Sequence, residues 1–372
     1  MDIHFGIDIG GTLTKVVLIG KKRSLVALAS RFQNFAHFSD QFIDDGEEII
    51  GENLGILQSE EALPLSIGMF CFSSRDISHL IAFLEVSLTL SKVSSIPVTG
   101  GGAVKFKLDL EAAFPQIAFR KVDEINAVAV GFAFLVRRRS AGFIFDSETH
   151  EKLPIPEEEF QSPFPLLLVN VGSGVSMIKI EGPDKYDRVQ GSPIGGGTVR
   201  GLGKLLFGAS SFEEIMELSK HGDSSKVDLS VGELFGVSPG DDFWRKDTLA
   251  SSLSKLRDST ASKADIAQSL VRMVSYNIGY VAYLVSCIHN CSRIYFSGKY
   301  VNKHVPTMEA ISYAVKFYEN WTPPPVAEGS IHREESPIHA PLIEQKCDVR
   351  FLHHEGYVGA IGALLSSFSE LS

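Results

Sequence analysis

Short apolar runs, broken by glycine and polar turns, recur along the chain. They predict strands near residues 3–9, 14–19, 66–72, 95–98, 166–171, 174–180, 293–297 and 349–352. Apolar residues at every third or fourth position predict helices near 76–90, 123–136, 199–207, 211–220 and 262–290. The last of these places Ile266, Leu270, Val274, Ile278, Val281 and Val285 on one side. Strands alternating with helices give an α/β protein. Three stretches break the pattern. Residues 40–61 are rich in Asp and Glu and read as a solvated face or loop. Residues 138–163 are polar and contain prolines, and read as a surface excursion. Residues 322–347 hold Pro323, Pro324, Pro325, Pro337 and Pro341 among mixed charges, which disfavours regular structure and predicts an exposed loop.

Two of the strand pairs share one design. Phe5-Gly-Ile-Asp-Ile-Gly-Gly-Thr-Leu-Thr-Lys15 and Leu168-Val-Asn-Val-Gly-Ser-Gly-Val-Ser176 each run from an apolar strand ending in Asp or Asn, through a glycine turn with a hydroxyl residue, into a second apolar strand. Such a turn can hold an anion, because glycines let backbone N–H groups approach a phosphate closely. The first turn offers Gly10, Gly11, Thr12 and the Lys15 cation, with Asp8 able to hold Mg²⁺ through water. The second offers Gly172, Ser173 and Gly174. Gly195-Gly196-Gly197-Thr198 leads into a helical pattern, whose N-terminus would favour an anion. Two such hairpins predict two similar lobes serving one nucleotide. The chain has neither a G-x-x-x-x-G-K-[ST] loop nor a G-x-G-x-x-G opening a helix after its first strand, so P-loop and Rossmann sites are unsupported.

Composition narrows the partners. The chain has 372 residues, room for two domains, with 44% hydrophobic and 22% charged residues, as in soluble globular proteins. A formal charge of −10 argues against a nucleic-acid or anionic-membrane surface. Cys71, Cys287, Cys291 and Cys347 make no disulfide framework. Cys287 and Cys291 flank His289, and read as thiols on a buried helix face rather than as a metal site. No basic and apolar leader precedes the first strand, so no signal peptide is read. Residues 273–292 lack charge, but Asn277, Gly279, His289 and Asn290 interrupt them. Ser262-x-x-Asp265 opens the segment like a capping box, so a buried helix is expected rather than a membrane span.

Asp-x-Gly-Gly-Thr at a first hairpin resembles the phosphate signature of the actin, Hsc70 and sugar-kinase superfamily. Further blocks resemble, in order, those of the type II pantothenate kinases of that superfamily. They are Thr99-Gly-Gly-Gly-Ala-Val-Lys-Phe106, Val122-Asp-Glu124, the second hairpin, Gly195-Gly-Gly-Thr198, Leu218-Ser-Lys-His-Gly-Asp223 and His354-Glu-Gly-Tyr-Val-Gly-Ala-Ile-Gly-Ala363. The resemblance implies a two-lobed actin-like fold, a duplicated ribonuclease H-like ATPase fold. The lobes are expected at 1–165, with the phosphate hairpin and catalytic Glu, and 166–372, with nucleotide and acyl-CoA sites. It implies ATP and Mg²⁺ as cofactors, pantothenate as substrate, acyl-CoA as feedback inhibitor, a cytoplasmic homodimer contacting through 262–290, and no nucleic-acid partner.

Residue by residue, the resemblance makes Glu124 the catalytic base. By itself the Asp123-Glu124 pair at a helix start also has a structural explanation, since it complements the helix dipole. Arg188, before Gly191-Ser-Pro-Ile-Gly-Gly-Gly, would help bind pantothenate and acyl-CoA and support catalysis. Ser173 and Ser176 would contact acyl-CoA. Tyr295-Phe-Ser-Gly298 resembles the adenosine-side turn, with Gly298 under the base and Phe212 lining that pocket or serving the core. Inactive relatives lack both the Glu and the Arg; this chain has both. Departures occur at Leu253 and Ser254, where the family commonly has Phe-Gly, at His353-His354, where it often has Glu-His, and after Asp223, where this chain is shorter. Two rival readings are an actin-fold sugar kinase and a non-enzymatic acyl-CoA sensor.

Overall fold

The structure, a computed structural model, describes residues 3–32, 39–43, 65–89, 93–137, 142–237, 248–256, 260–301, 304–320, 345–353 and 356–369. In chain order the elements are β1 His4–Ile9, β2 Leu13–Lys21, α1 Lys22–Ala29, β3 Ser39–Ile43, β4 Leu65–Ser73, α2 Ser78–Leu88, β5 Ser95–Thr99, α3 Gly102–Lys105, α4 Lys107–Ala113, β6 Ala118–Lys121 and α5 Glu124–Leu135. There follow β7 Gly142–Phe145, β8 Lys152–Pro154, α6 Glu157–Gln161, β9 Leu166–Val171, β10 Val175–Gly182, β11 Lys185–Ser192, α7 Gly196–Phe207, α8 Phe212–Ser219, β12 Leu229–Ser230, α9 Val231–Phe235 and β13 Leu249–Ser251. The last are α10 Lys263–Ile288, β14 Arg293–Ser297, α11 Val305–Glu319, β15 Asp348–Leu352 and α12 Val358–Ser369.

Contacts divide the chain into two compact units. Unit 1 is Met1–Ala141, Gly182–Tyr186 and His354–Ser372; unit 2 is Gly142–Glu181 and Asp187–His353. The break after 141, and the return of the C-terminal segment to unit 1, differ from a single cut after residue 165.

Unit 1 holds a six-stranded sheet in the order β3-β4-β2-β1-β5-β6. β1 and β2 form an antiparallel hairpin, while β5 runs parallel to β1 and β6 parallel to β5. Unit 2 is built on a seven-stranded sheet, β11-β10-β9-β14-β15-β7-β8. There β9 and β10 form the antiparallel hairpin, and β14 and β15 follow in parallel. The run β4-β2-β1-β5-β6 therefore repeats as β11-β10-β9-β14-β15. This is the ribonuclease H-like order, present twice, and the fold is the actin-like one expected. Its apolar strands are buried nearly continuously, as parallel strands covered on both faces require: Leu166, Leu167, Leu168, Val169 and Val171 are all fully buried.

In unit 1, α12 packs on α5 and β1. Small residues set this approach. A Cβ at Gly362 would lie 1.7 Å from the Ala127 carbonyl oxygen, and one at Gly131 would lie 2.0 Å from that of Val358. In unit 2, α10 begins with the expected capping box, Ser262 Oγ accepting from the Asp265 N–H at 3.2 Å. Its apolar face, including Leu270, Val274, Ile278 and Val285, joins the core. It is the one helix among the described residues with the length and apolarity of a membrane span, and more than half of that window is buried. Its place in the core accounts for its composition.

The segment 138–163 is more than a surface excursion. Gly142–Phe145 adds an antiparallel strand to β15, burying Phe143 and Phe145. Glu159 is buried against Arg350, with Nη2 to Oε1 at 2.6 Å, and Arg293 lies 3.7 Å from the same carboxylate. Two alternating phenylalanines are too short a signal to stand out from a polar window. Ser39–Ile43 pairs with β4, so part of the acidic stretch is a strand; residues 44–61 and 322–344 lie outside the described residues. Cys291 falls beyond the end of α10, so it does not share a helix face with Cys287. Both thiols are buried, and burial pushes Cys291 up to about 11. Among the described residues no group of three or more His, Cys, Asp or Glu could hold a metal ion.

Candidate active site

The antiparallel register of β1 and β2 sets Asp8 opposite Lys15. Their side chains meet, Nζ to Oδ2 at 3.6 Å, with 21% and 17% of each exposed. Between them the chain reverses tightly: the Gly10 N–H donates to the Leu13 carbonyl at 2.9 Å, leaving Gly11 and Thr12 exposed at the tip. The tip is braced from β4. The Ser74 N–H donates to the Thr12 carbonyl at 2.9 Å, and the Thr14 and Ser74 hydroxyls lie 2.9 Å apart in a buried pair.

The ends of the parallel strands gather around this turn. After β5, Gly100 adopts φ +84°, and a Cβ there would lie 2.5 Å from Asp8 Oδ1. From α12, a Cβ at Gly359 would lie 2.9 Å from Asp8 Oδ2. The Asp8 carboxylate thus sits against bare backbone on two sides, one of them the first turn of a helix, where anionic charge is stabilised. The Thr99 hydroxyl donates to the Val122 carbonyl at 3.1 Å, tying the end of β5 to the segment that enters α5. There Asp123 and Glu124 divide their work. Asp123 is the N-cap, accepting from the Asn126 N–H at 2.9 Å, a bond typically worth about 1 kcal/mol. Glu124 is the first helical residue and is exposed. Burial raises the Tyr186 pKa, and the Asp123 charge raises it further. In unit 1, Asp8, Lys15, the Gly100 turn and Glu124 therefore share the carboxyl edge of the sheet, where α/β sheets bind ligands.

Unit 2 presents the corresponding edge with different chemistry. The Gly172 N–H donates to the Gly174 carbonyl at 2.9 Å, and Gly172 and Ser173 are exposed. Asn170 replaces the aspartate and accepts from the Ser297 hydroxyl at 3.2 Å. Gly298, at φ +102°, lies against β9: a Cβ there would be 2.2 Å from the Val171 carbonyl oxygen. That position is explained by close backbone approach. The Gly195 run differs from expectation in detail. The Gly196 N–H donates to the Gly172 carbonyl at 2.9 Å and the Gly197 N–H to the Ser173 carbonyl at 3.0 Å. The Thr198 N–H donates to the Gly195 carbonyl at 3.0 Å. The first donors of α7 thus clamp the helix onto the hairpin instead of pointing at solvent.

Two of the site groups expected in unit 2 lack partners among the described residues. Ser176 Oγ is buried and makes no hydrogen bond. Arg188, on β11, is exposed and has no ion-pair partner among the described residues; its guanidinium folds over Gly191, where a Cβ would lie 2.8 Å from Nη2. Phe212 is half-buried, its ring 5.7 Å from Tyr300 and 5.6 Å from His304, and it packs on the core. Sequence reasoning did not single out Ser74, the Thr99 hydroxyl, the clamp at Gly196 and Gly197, or Gly359 beside Asp8. Only Gly359 carried a signal: Gly359 and Gly362, three apart in an apolar helix, mark a surface of close approach.

A family model described as Fumble matches residues 4–333. The pantothenate kinase of Schizosaccharomyces pombe is 32% identical over 97% of this chain and 81% of its own length. Pantothenate kinase 2 of Arabidopsis thaliana is 32% identical over 98% of this chain, and the 4′-phosphopantetheine phosphatase of Mus musculus 31% identical over 97%. The chain spans only 38% and 40% of those two relatives. With these matches the chain belongs to the Fumble family, that of the type II pantothenate kinases.

Proposed function

We propose that the chain transfers the γ-phosphoryl group of ATP to pantothenate, giving 4′-phosphopantothenate, the first step of coenzyme A synthesis. The observation that carries this reading is the carboxyl edge of unit 1, where a Lys–Asp pair at a glycine turn stands with an exposed carboxylate at a helix start. Glu124 takes the proton of the pantothenate primary hydroxyl as that oxygen attacks the γ-phosphorus, and the β–γ bridging oxygen leaves with ADP. Lys15, Gly11, Thr12, Gly172, Ser173 and Gly174 hold the nucleotide phosphates. Gly10 and Gly195 to Thr198 support the turns from behind, and Phe212 and Gly298 belong to the adenosine side.

Asp8 fits a water-bridged Mg²⁺, because Gly100 and Gly359 bring no side chain of their own against its oxygens, and Lys15 stands off Oδ2 at 3.6 Å. The ion would neutralise phosphate charge during transfer. Arg188 and Ser176 are offered as contacts for the pantothenate chain and for an inhibitory acyl-CoA; a cation without an ion-pair partner and a buried hydroxyl without a hydrogen bond, both among the described residues, support that reading. A homodimer and a cytoplasmic location belong to the same proposal.

A second reading is the acyl-CoA sensor, a fold without kinase turnover; the mouse relative, of which the chain spans 40%, is named as a phosphatase and not as a kinase. Glu124 and Arg188, both present, argue against it. Mass spectrometry of the reaction products decides: 4′-phosphopantothenate from ATP and pantothenate supports the kinase. Phosphorylation of a hexose or N-acetylhexosamine instead would support the sugar-kinase rival, and no product at all the sensor.

A further inference from the structure

The chain leaves β14 through Gly298, and the next two side chains go opposite ways. Lys299 is exposed, with its Nζ 2.7 Å from Glu213 on α8. Tyr300 is buried, only 2% of it exposed. Its N–H donates to the Val171 carbonyl at 3.4 Å, at the end of β9.

Both ends of the Tyr300 side chain are engaged. The hydroxyl lies 2.9 Å from that of Ser275 and 3.4 Å from the Val271 carbonyl, two fully buried residues of α10. It can donate to the carbonyl while accepting from the serine. Burial raises its pKa, so it stays a neutral phenol. The ring lies 5.7 Å from that of Phe212. It also backs the first turn of α7, since a Cβ at Gly196 would lie 3.3 Å from Tyr300 Cδ2. Gly196 is the residue whose N–H donates to the Gly172 carbonyl. One side chain thus runs from a fixed point on α10 to the backbone that clamps the second turn and to the Phe212 ring. An apolar core does not need this hydroxyl. Burying one is unfavourable unless it is bonded, and the bonds then hold the ring in a single place.

We propose that Tyr300 is a positioning residue for the nucleotide, its hydroxyl held on α10 so that the ring keeps the Gly196 clamp and Phe212 in place. The proposal rests on the reading above, in which the second turn and Phe212 face ATP.

Isothermal titration of the full chain with MgATP, at a temperature where every variant is folded, tests this. Tyr300→Phe should weaken ATP about threefold to tenfold, the scale of one hydrogen bond. Ser275→Ala, which removes the other end of the tie, should weaken it in the same direction. Melting temperature separates this role from packing. Tyr300→Phe takes a partner from the Ser275 hydroxyl and should melt lower. The double variant Tyr300→Phe/Ser275→Ala removes both hydroxyls and should recover much of that loss, whereas ATP affinity should not recover with it. Ile278→Val, a truncation in the same core, should lower the melting temperature and leave ATP affinity unchanged. In steady state, KM for ATP should rise in Tyr300→Phe and KM for pantothenate should hold. Unchanged ATP affinity in Tyr300→Phe, affinity that returns with the melting temperature in the double variant, or an equal loss in Ile278→Val would overturn the proposal. Titration needs no turnover. A native chain that binds ATP without forming 4′-phosphopantothenate would therefore sink the kinase reading alone, and one that binds no ATP would overturn both.

Discussion

The two hairpin turns share a sheet order and a glycine pattern, yet they carry different charges. The turn of unit 1 sets Lys15 against Asp8 at 3.6 Å and leaves the Asp8 oxygens flanked by Gly100 and Gly359. The turn of unit 2 sets Ser176 opposite Asn170, and the Asn170 amide accepts from Ser297. In unit 1 the helix that meets the turn, α12, comes close to a carboxylate. In unit 2 the first two N–H groups of α7, those of Gly196 and Gly197, are consumed by the hairpin carbonyls. The two copies of the hairpin have thus diverged: one sets fixed charges at its turn, the other a neutral turn of backbone and hydroxyl groups. The exposed carboxylate at the start of α5 belongs to the charged copy, and Arg188, without an ion-pair partner among the described residues, to the neutral one.

The sharpest way to break this division is at the charged copy. Glu124→Gln should lower kcat by about 10²–10⁴-fold, the usual contribution of a positioned base, with ATP binding retained. A variant keeping a tenth of the native rate would show that another group acts. Lys15→Ala comes next. It should raise KM for ATP about tenfold, the loss of one charge-assisted contact, and change KM for pantothenate far less. An equal rise in both would make Lys15 a structural residue.

A matched pair then compares the two turns directly. A Cβ at Gly11 or at Gly172 would meet no atom within 4 Å, so Gly11→Ala and Gly172→Ala should each leave the melting temperature within about 2 °C. Turnover should fall in both if both turns face nucleotide, and Gly11→Ala should suffer more. A fall in neither would remove the turns from the account.

The smallest effect is one of pH, in unit 2. Burial pushes His304 down to about 4. A base whose folded pKa lies below its unfolded value, about 6.5, adds stability that is full above pH 6.5 and is lost as pH falls toward 4. The carboxylates Glu233 and Asp265, each lowered to about 2, lose their contributions only below about pH 4.5. Between pH 6.5 and 4.5 the loss therefore falls to His304, joined by His353, which burial also lowers. Thermal melts of native chain and His304→Phe should show a shallower decline in the variant over that window. Parallel curves would contradict the assignment.

Much of this was legible in the sequence, for reasons that differ by element. The hairpins stood out because apolar runs on both sides of a glycine turn leave little else to build. The start of α5 was legible from its acidic pair, though not which carboxylate caps and which stays exposed: Asp123 and Glu124 are adjacent, and only the local backbone separates their roles. The clamp of α7 on the second hairpin was not legible, because consecutive glycines serve an anion or a neighbouring carbonyl equally well. The strand at Gly142–Phe145 was hidden by its brevity. Gly298 read as a nucleotide position, but its conformation is also required by contact with Val171.

Coupled ADP release with pantothenate, with and without acetyl-CoA, tests the central claim most directly. The account predicts ADP release that needs pantothenate, falls with acetyl-CoA and recovers with excess ATP, and an Arg188→Ala variant that is both slower and less inhibited. ADP release indifferent to pantothenate, or none under any condition in a chain that binds ATP, would contradict it.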